Sequence, residues 1–167
     1  MKRKINFIAI DPGLREMGVA HFEGTELTDY GVKSLRRPGN HSKRSLMLKK
    51  VITRMFDEKM PDVLVIEKNS FSGVKQNLPL MKAIGSIKVI AESGSIKIIE
   101  FAPNTIKKSV TGDGRATKKQ VAHVVCYHYP ELRAFNDSKK LWQERYYQNM
   151  FDAVACGLTY LNFYDKK

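Results

Sequence analysis

Three acidic residues occupy positions from which their carboxylates can share one cavity. Asp11 directly follows the apolar segment INFIAI, and Glu67 directly follows the apolar segment VLVI. Both segments have the pattern of buried strands, and neighbouring strands lie only about 4.8 Å apart. Asp152 lies in NMFDAVACGLTYL, whose pattern predicts a helix with apolar residues on nearly all sides of this charge. We therefore expect Asp11, Glu67 and Asp152 to meet.

Carboxylates without nearby cysteine or histidine ligands suit hard cations such as Mg²⁺ and Mn²⁺. Two such ions about 3.5 to 4 Å apart can activate a water and stabilise the leaving oxygen of a phosphodiester. Each acid alone has a simpler interpretation, because Asp-Pro-Gly is a common turn sequence and Asp152 could lie on an exposed stripe of its helix. Their combination with a basic chain favours a metal site for nucleic-acid phosphate.

The elements that must position these acids follow from the hydrophobic pattern. Three apolar segments separated by turns predict an antiparallel meander, and they are Ile5 to Ile10, Gly18 to Phe22 and Leu27 to Val32. Helices and strands then alternate: a helix that ends before Pro61, a strand Val63 to Ile66, a helix Leu78 to Ser93, a strand Ser95 to Phe101, helices over Thr105 to Val110 and Thr117 to Tyr127, and a last helix from Trp142 to Phe163. This order predicts an α/β fold with a mixed five-stranded sheet and helices on both faces, in a single domain over residues 1–167.

The composition of the chain indicates which class of partner it binds. Lys and Arg number 29 against 17 Asp and Glu, so the formal net charge is +12 and polyanions are attracted. Nucleic acid is the expected partner, because we find neither an apolar run that could span a bilayer nor a lipidation motif. Cys126 and Cys156 lack CxxC spacing, which predicts buried free thiols in a reducing, cytoplasmic location.

Four segments, taken in order, resemble the motifs of the RuvC family of Holliday-junction resolvases, which have an RNase H-like fold. IAIDPGLREMGVA resembles the opening motif, with Arg15 two residues after the glycine, and VLVIEKNSF resembles the motif around the catalytic Glu. FAPNTIKKSVTGDGRATKKQV resembles the region whose lysines contact the scissile phosphate, with Lys107 and Lys118 at those places. FDAVACGLTYL resembles the final motif, so the resemblance spans most of the chain.

The resemblance implies a crossover junction endodeoxyribonuclease of DNA recombination and repair. Such an enzyme is a homodimer that nicks two strands of a four-way junction symmetrically, and Asp11, Glu67 and Asp152 would bind two Mg²⁺ or Mn²⁺ ions per active site. Lys107 and Lys118 would complete the catalytic set, and Arg15 would contact DNA. The family also places an aromatic residue on junction bases, for which Phe71 is the nearest candidate, although a core position is equally compatible with this residue.

One position departs from the family pattern. The family usually has a fourth ligand, an Asp or a His, three residues before the last Asp, where this chain has Asn149. Asn149 shares a helix face with Asp152 and joins the expected catalytic and metal-binding set, but its amide carries no charge. Gln148 is not expected to substitute, and Glu144 lies about 12 Å away along the axis. Three explanations of Asn149 stay open: a natural enzyme that works with three carboxylates, a natural binder that has lost cleavage, and an engineered Asp to Asn change.

Further basic residues predict contacts with the DNA backbone. They are Arg36, Arg37, Lys43 and Arg44 around a Pro-Gly-Asn loop, and Arg115 and Lys119 near the start of a predicted helix, where amide groups also favour phosphate. A solvated surface is the ordinary alternative for such residues. The salt dependence of binding distinguishes the two interpretations.

Three other functions fit part of the pattern. A junction-binding protein without cleavage activity is compatible with Asn149. Another RNase H-like nuclease, acting on RNA–DNA hybrids or flaps, would use the same carboxylates. A nucleotide-phosphate enzyme of the actin-like type also begins with a strand and an Asp-x-Gly turn, but such folds need two related domains and a second phosphate loop.

Overall fold

A computed structural model describes residues 3–35, 41–68, 77–136 and 141–164. Within this part of the chain, five strands form one sheet: β1 (Asn6–Asp11), β2 (Glu16–Glu23), β3 (Glu26–Ser34), β4 (Val63–Glu67) and β5 (Lys97–Phe101). Their order is β3-β2-β1-β4-β5. The first three strands pair antiparallel, whereas β4 and β5 join parallel. The predicted meander followed by parallel strands is confirmed.

The helices lie close to where the sequence predicts them. They are α1 (His41–Lys59), α2 (Leu78–Ser93), α3 (Pro103–Thr111), α4 (Lys118–His128), α5 (Arg133–Asn136) and α6 (Leu141–Tyr164). A 3₁₀ turn over Pro130–Leu132 leads into α5, and neither of these two short elements was predicted. Both are too short to show a hydrophobic period of their own.

The sheet separates two hydrophobic clusters, so helices cover both faces as predicted. The cluster beneath α1 and α2 contains Ile8 and Ile10 of β1 and Leu64 and Ile66 of β4. The cluster beneath α3, α4 and α6 contains the alternating residues of the same strands, which are Phe7, Ala9, Val63 and Val65. Because side chains alternate along a strand, Asp11 and Glu67 continue the second series. Their side chains therefore belong to the face covered by α6.

Two glycines let α6 approach the sheet closely. A Cβ atom on Gly157 would overlap the ring of Phe22, and a Cβ atom on Gly18 would overlap the backbone carbonyl of Asn149. Gly18 pairs with Asp11 across β1 and β2. The close contact at Gly18 therefore brings the α6 turn that carries Asn149 and Asp152 beside the strand end that carries Asp11.

The connection between α3 and α4 fixes where α4 begins. Gly112 ends α3 with φ +82°, a conformation that favours glycine. The predicted N-cap Thr117 is confirmed: its hydroxyl accepts a hydrogen bond from the Gln120 amide, and Gln120 Oε1 accepts one of 2.8 Å from the Thr117 amide. This capping box makes Lys118 the first residue of α4.

Cys126 and Cys156 are both buried, and they form no disulfide, as predicted. Among the described residues, no helix is both long and apolar enough to cross a membrane.

Candidate active site

The carboxylates of Asp11 and Glu67 lie at the same edge of the sheet. Asp11 is the last residue of β1 and Glu67 the last residue of β4, and these two strands pair in parallel with Ile10 opposite Ile66. Asp152 comes from α6, which packs across β1, β2 and β4. The three acids thus come from three elements that the central part of the fold holds together.

The electrostatics of the acids show that they lie close to one another. Burial raises the pKa of Asp11 well above its ordinary value, and the charges of Asp152 and Glu67 raise it further. Burial raises the pKa of Glu67 from 4.5 to about 7, again with a contribution from Asp152. The sequence predicted that Asp11, Glu67 and Asp152 meet, and the structure places them within range of one another's charges.

Both carboxylate oxygens of Asp152 already have a donor. Lys118 Nζ donates a hydrogen bond of 2.8 Å to Oδ2, and Gln148 Nε2 donates one of 2.8 Å to Oδ1. The Asp152 side chain is 17% exposed, against 62% for Lys118. The contact from Gln148 was not predicted, although its spacing of four residues from Asp152 on one helix was a signal for it.

The two lysines predicted to contact phosphate both lie near the acids. Burial lowers the pKa of Lys118, but the hydrogen bond and charge of Asp152, together with Asp11 and Glu67, outweigh this effect and raise it overall. The charges of Lys118 and Lys107 also oppose the rise in the pKa of Glu67. Lys118 therefore stays protonated and offsets part of the negative charge of the cluster.

Comparison with known proteins decides the family of this chain. The family model described as "Crossover junction endodeoxyribonuclease RuvC" matches residues 7–136.

The chain belongs to the RuvC family.

Similarity to named RuvC proteins extends over nearly the whole chain. This chain is 32% identical over 162 residues to the crossover junction endodeoxyribonuclease RuvC of Akkermansia muciniphila. The aligned region covers 94% of this chain and 90% of that protein. The Thermus thermophilus RuvC structure superimposes with a TM-score of 0.73 and 18% identity, covering 95% of each chain. A T. thermophilus RuvC structure in complex with Holliday junction substrate also gives 0.73, with 17% identity and coverage of 95% and 94%. The predicted family and RNase H-like fold are confirmed.

The chemistry of the donors at the cluster, but not their present spacing, suits a hard divalent cation. Among the described residues, no three His, Cys, Asp or Glu side chains are already spaced to hold a metal ion. The oxygens that Asp11, Glu67 and Asp152 offer are nevertheless all carboxylate oxygens. Burial and the charges of neighbouring acids make the ionised forms of Asp11 and Glu67 costly. The Lys118 ammonium already balances charge at Asp152 Oδ2. A divalent cation would relieve the same repulsion and would compete with Lys118 for that oxygen.

Asn149 lies at the border of the cluster. It is partly buried in α6 one turn before Asp152, and its backbone carbonyl lies against Gly18, the residue paired with Asp11. The sequence predicts a metal ligand at this position, but an amide adds no negative charge there. The net charge of the cluster therefore depends on Asp11, Glu67 and Asp152 with the nearby lysines.

The other predicted DNA contacts divide between two faces of the sheet. Arg115 and Lys119 are exposed near the start of α4, beside Lys118, whereas the exposed Lys43 and the partly buried Arg44 lie on α1. These helices cover opposite faces, so the basic residues do not form one continuous track on one face. The exposed Arg15 lies in the β1–β2 turn at the edge that carries the acids. Predicted contacts outside the described residues are Arg36, Arg37 and Phe71.

Proposed function

We propose that the chain is a metal-dependent endonuclease that binds four-way DNA junctions as a homodimer and resolves them by paired symmetric nicking. The observation that carries this proposal is the cluster of Asp11, Glu67 and Asp152, in which burial and neighbouring negative charge raise the pKa values of Asp11 and Glu67. Membership of the RuvC family supports the substrate, since its named relatives are crossover junction endodeoxyribonucleases. The setting would be DNA recombination and repair in the cytoplasm.

In this proposal the three carboxylates bind Mg²⁺ or Mn²⁺, two ions per active site, and Asn149 contributes its side-chain oxygen as a weak fourth ligand. The bound ions would supply an activated water and stabilise the leaving oxygen of the phosphodiester. Asp11 and Glu67 hold their places because each ends a strand that is buried on both faces. Asp152 holds its place because α6 lies against Gly18.

The lysines would act on the phosphate. Lys118 stays protonated and 62% of its side chain is exposed, so its ammonium can reach a phosphate oxygen once a cation has replaced it at Asp152. Lys107 lies close enough to Glu67 to influence its pKa and would contact the same phosphate. Both groups would stabilise negative charge that develops during cleavage.

The remaining basic residues would bind the DNA backbone on both sides of the scissile phosphate. Arg115 and Lys119 extend the positive charge of Lys118 along the start of α4, and Arg15 adds a cation at the β1–β2 turn. On the other face, Lys43 and Arg44 of α1 would contact another arm of the junction. Our proposal also includes Arg36 and Arg37 as backbone contacts and Phe71 as a base-stacking residue.

A branched substrate with two strands to cut explains the homodimer. The described residues of one protomer carry one such cluster of carboxylates, so paired nicks at symmetric positions would require a second copy related by a two-fold axis. The proposal gains support from the T. thermophilus RuvC structure with Holliday junction substrate, which shares this fold.

The test is a cleavage assay on a synthetic four-way junction, a linear duplex and an RNA–DNA hybrid, each with Mg²⁺, Mn²⁺ or a chelator. We expect paired nicks in the junction alone, only with metal, and no nicks from the matched variant Asp11→Asn. Tight junction binding without nicks would favour a non-catalytic junction-binding protein, and preferential cleavage of the hybrid would favour another RNase H-like nuclease. Either result would overturn the proposal.

A further inference from the structure

We propose that Gln148 is a positioning residue that fixes the carboxylate of Asp152 for metal binding. The inference rests on the proposed function, because it takes Asp152 as a metal ligand. It adds a residue that is neither one of the clustered acids nor one of the lysines. Gln148 would act through Asp152 and would not itself contact the ion or the substrate.

The two carboxylate oxygens of Asp152 have different hydrogen-bond donors. Gln148 Nε2 donates to Oδ1 at 2.8 Å, and Lys118 Nζ donates to Oδ2 at 2.8 Å. Lys118 is a cation and would compete with a metal ion for the Asp152 carboxylate, whereas the amide of Gln148 is neutral and would repel neither an ion nor the carboxylate. When Lys118 leaves, the hydrogen bond from Gln148 can stay and hold Oδ1 in place.

Among the described residues, Lys118 and Gln148 donate to the Asp152 carboxylate, and of these two donors only Gln148 is neutral. The Asp152 side chain is only 17% exposed, so water can replace these donors only in part. The terminal torsion of an aspartate is broad, so an unsupported carboxylate can rotate about it. Carboxylates that bind metals are usually held by hydrogen bonds from surrounding groups, and loss of such a group typically weakens metal affinity by about 10 to 100-fold.

A purely structural role makes a different prediction. Gln148 and Asp152 are four residues apart on α6, and side-chain pairs at this spacing stabilise helices slightly in any context. If that were the whole function of the contact, its removal would lower the thermal midpoint slightly and leave metal affinity unchanged. Metal affinity measured without DNA therefore separates the two roles.

The experiment measures Mn²⁺ binding to the full chain by electron paramagnetic resonance, without DNA. Gln148→Met keeps the length of the side chain and removes the donor, and we expect Mn²⁺ affinity to fall about 10-fold. Gln148→Ala should give the same fall and serves as the second variant if Gln148→Met does not fold. The matched control is Gln143→Met on the same helix, about 13 Å from Asp152 along the axis, which should bind Mn²⁺ as the wild-type chain does.

The outcomes separate this inference from the proposed function. Asp152→Asn should reduce Mn²⁺ binding strongly, and unchanged binding by Asp152→Asn would overturn the proposed function together with the role of Gln148. Reduced binding by Asp152→Asn, combined with wild-type affinity in both folded Gln148 variants, would overturn the positioning role alone. The kinetic readout should agree: the Gln148 variants are expected to lose kcat on a four-way junction at fixed Mn²⁺ while KM for the junction stays constant.

Discussion

The backbone of Gly18 in β2 lies directly against the backbone carbonyl of Asn149 in α6. A Cβ atom on Gly18 would overlap that carbonyl group and lie 3.0 Å from the amide nitrogen of Met150. Backbone atoms cannot move aside as the end of a flexible side chain can, so Gly18→Ala must displace α6 from the sheet. Overpacking usually costs about 1 to 3 kcal/mol, and we expect a loss of about 3 kcal/mol in the free energy of unfolding. Urea denaturation measures this loss.

The control for Gly18→Ala is Gly85→Ala in α2. Gly85 is exposed within a helix, and a Cβ atom there would meet nothing within 4 Å. Alanine in a helix interior is favoured over glycine by about 0.5 to 1 kcal/mol, so Gly85→Ala should stabilise the chain by that amount. If the two substitutions changed stability equally, the close approach of α6 at Gly18 would not be needed for the fold.

Raised carboxylate pKa values make the stability of the metal-free protein depend on pH. On folding, the pKa of Glu67 rises from 4.5 to about 7, and the pKa of Asp11 also rises. Between pH 4.5 and about pH 7 the folded chain therefore binds more protons than the unfolded chain. Stability is therefore expected to fall as pH increases from about 4.5 to about 7. For Glu67 alone the pKa change corresponds to an upper limit of about 3 kcal/mol.

Glu67→Gln removes the buried carboxylate that destabilises the metal-free protein when it ionises. The variant should therefore be more stable than wild type at pH 8 in the presence of a chelator. Junction nicking with Mg²⁺ should be lost. Thermal denaturation across pH 4 to 8 measures the first effect, and the cleavage assay measures the second. Glu92→Gln, at an exposed position on α2, should change neither. A Glu67→Gln variant that is less stable than wild type at pH 8 would contradict the assigned electrostatics.

The positions of Asp11 and Glu67 could be predicted because each continues an apolar strand without an intervening residue. Burial on both faces leaves a continuous apolar segment in the sequence, and the strand end is then marked by the first acid. The bounds of α2 were predicted correctly for a similar reason, since Leu78 to Ser93 shows a sustained helical pattern and Gly94 follows it.

Features that depend on how elements cross one another could not be predicted. The division of the basic residues between α1 and α4 follows from which face of the sheet each helix covers, and a count of charges along the chain carries no such information. The contact of Gln148 with Asp152 follows the four-residue spacing of neighbours on one helix face, but the sequence alone does not show which acceptor the Gln148 amide takes. The position of α6 depends on Gly18, whose role is visible only when both backbones are in place.

Lys118→Met should separate binding of metal from cleavage. Removal of the ammonium from Asp152 Oδ2 leaves that oxygen to the cation alone, so Mn²⁺ affinity without DNA should increase a few-fold. Junction nicking should nevertheless fall about 100-fold, because a charge that stabilises the scissile phosphate is lost. Lys97→Met, at the start of β5 and therefore at the opposite edge of the sheet, is the matched control and should leave both quantities unchanged. Lower Mn²⁺ affinity in Lys118→Met would show that Lys118 organises the cluster instead of competing with the ion.

Asn149→Asp should strengthen the metal site and weaken the metal-free fold. A fourth carboxylate beside Asp11 and Asp152 adds an anionic oxygen ligand, so Mn²⁺ affinity and junction nicking should both rise, by about 10-fold or more if the neutral amide limits the wild-type chain. Without metal the added charge repels the other acids, so the thermal midpoint in chelator should fall at pH 8 and recover when Mn²⁺ is added. Asn77→Asp adds the same charge at the N-cap of α2, where aspartate caps as well as asparagine, and should produce neither effect. Unchanged nicking in Asn149→Asp would mean that three carboxylates are sufficient and that position 149 does not limit this chain.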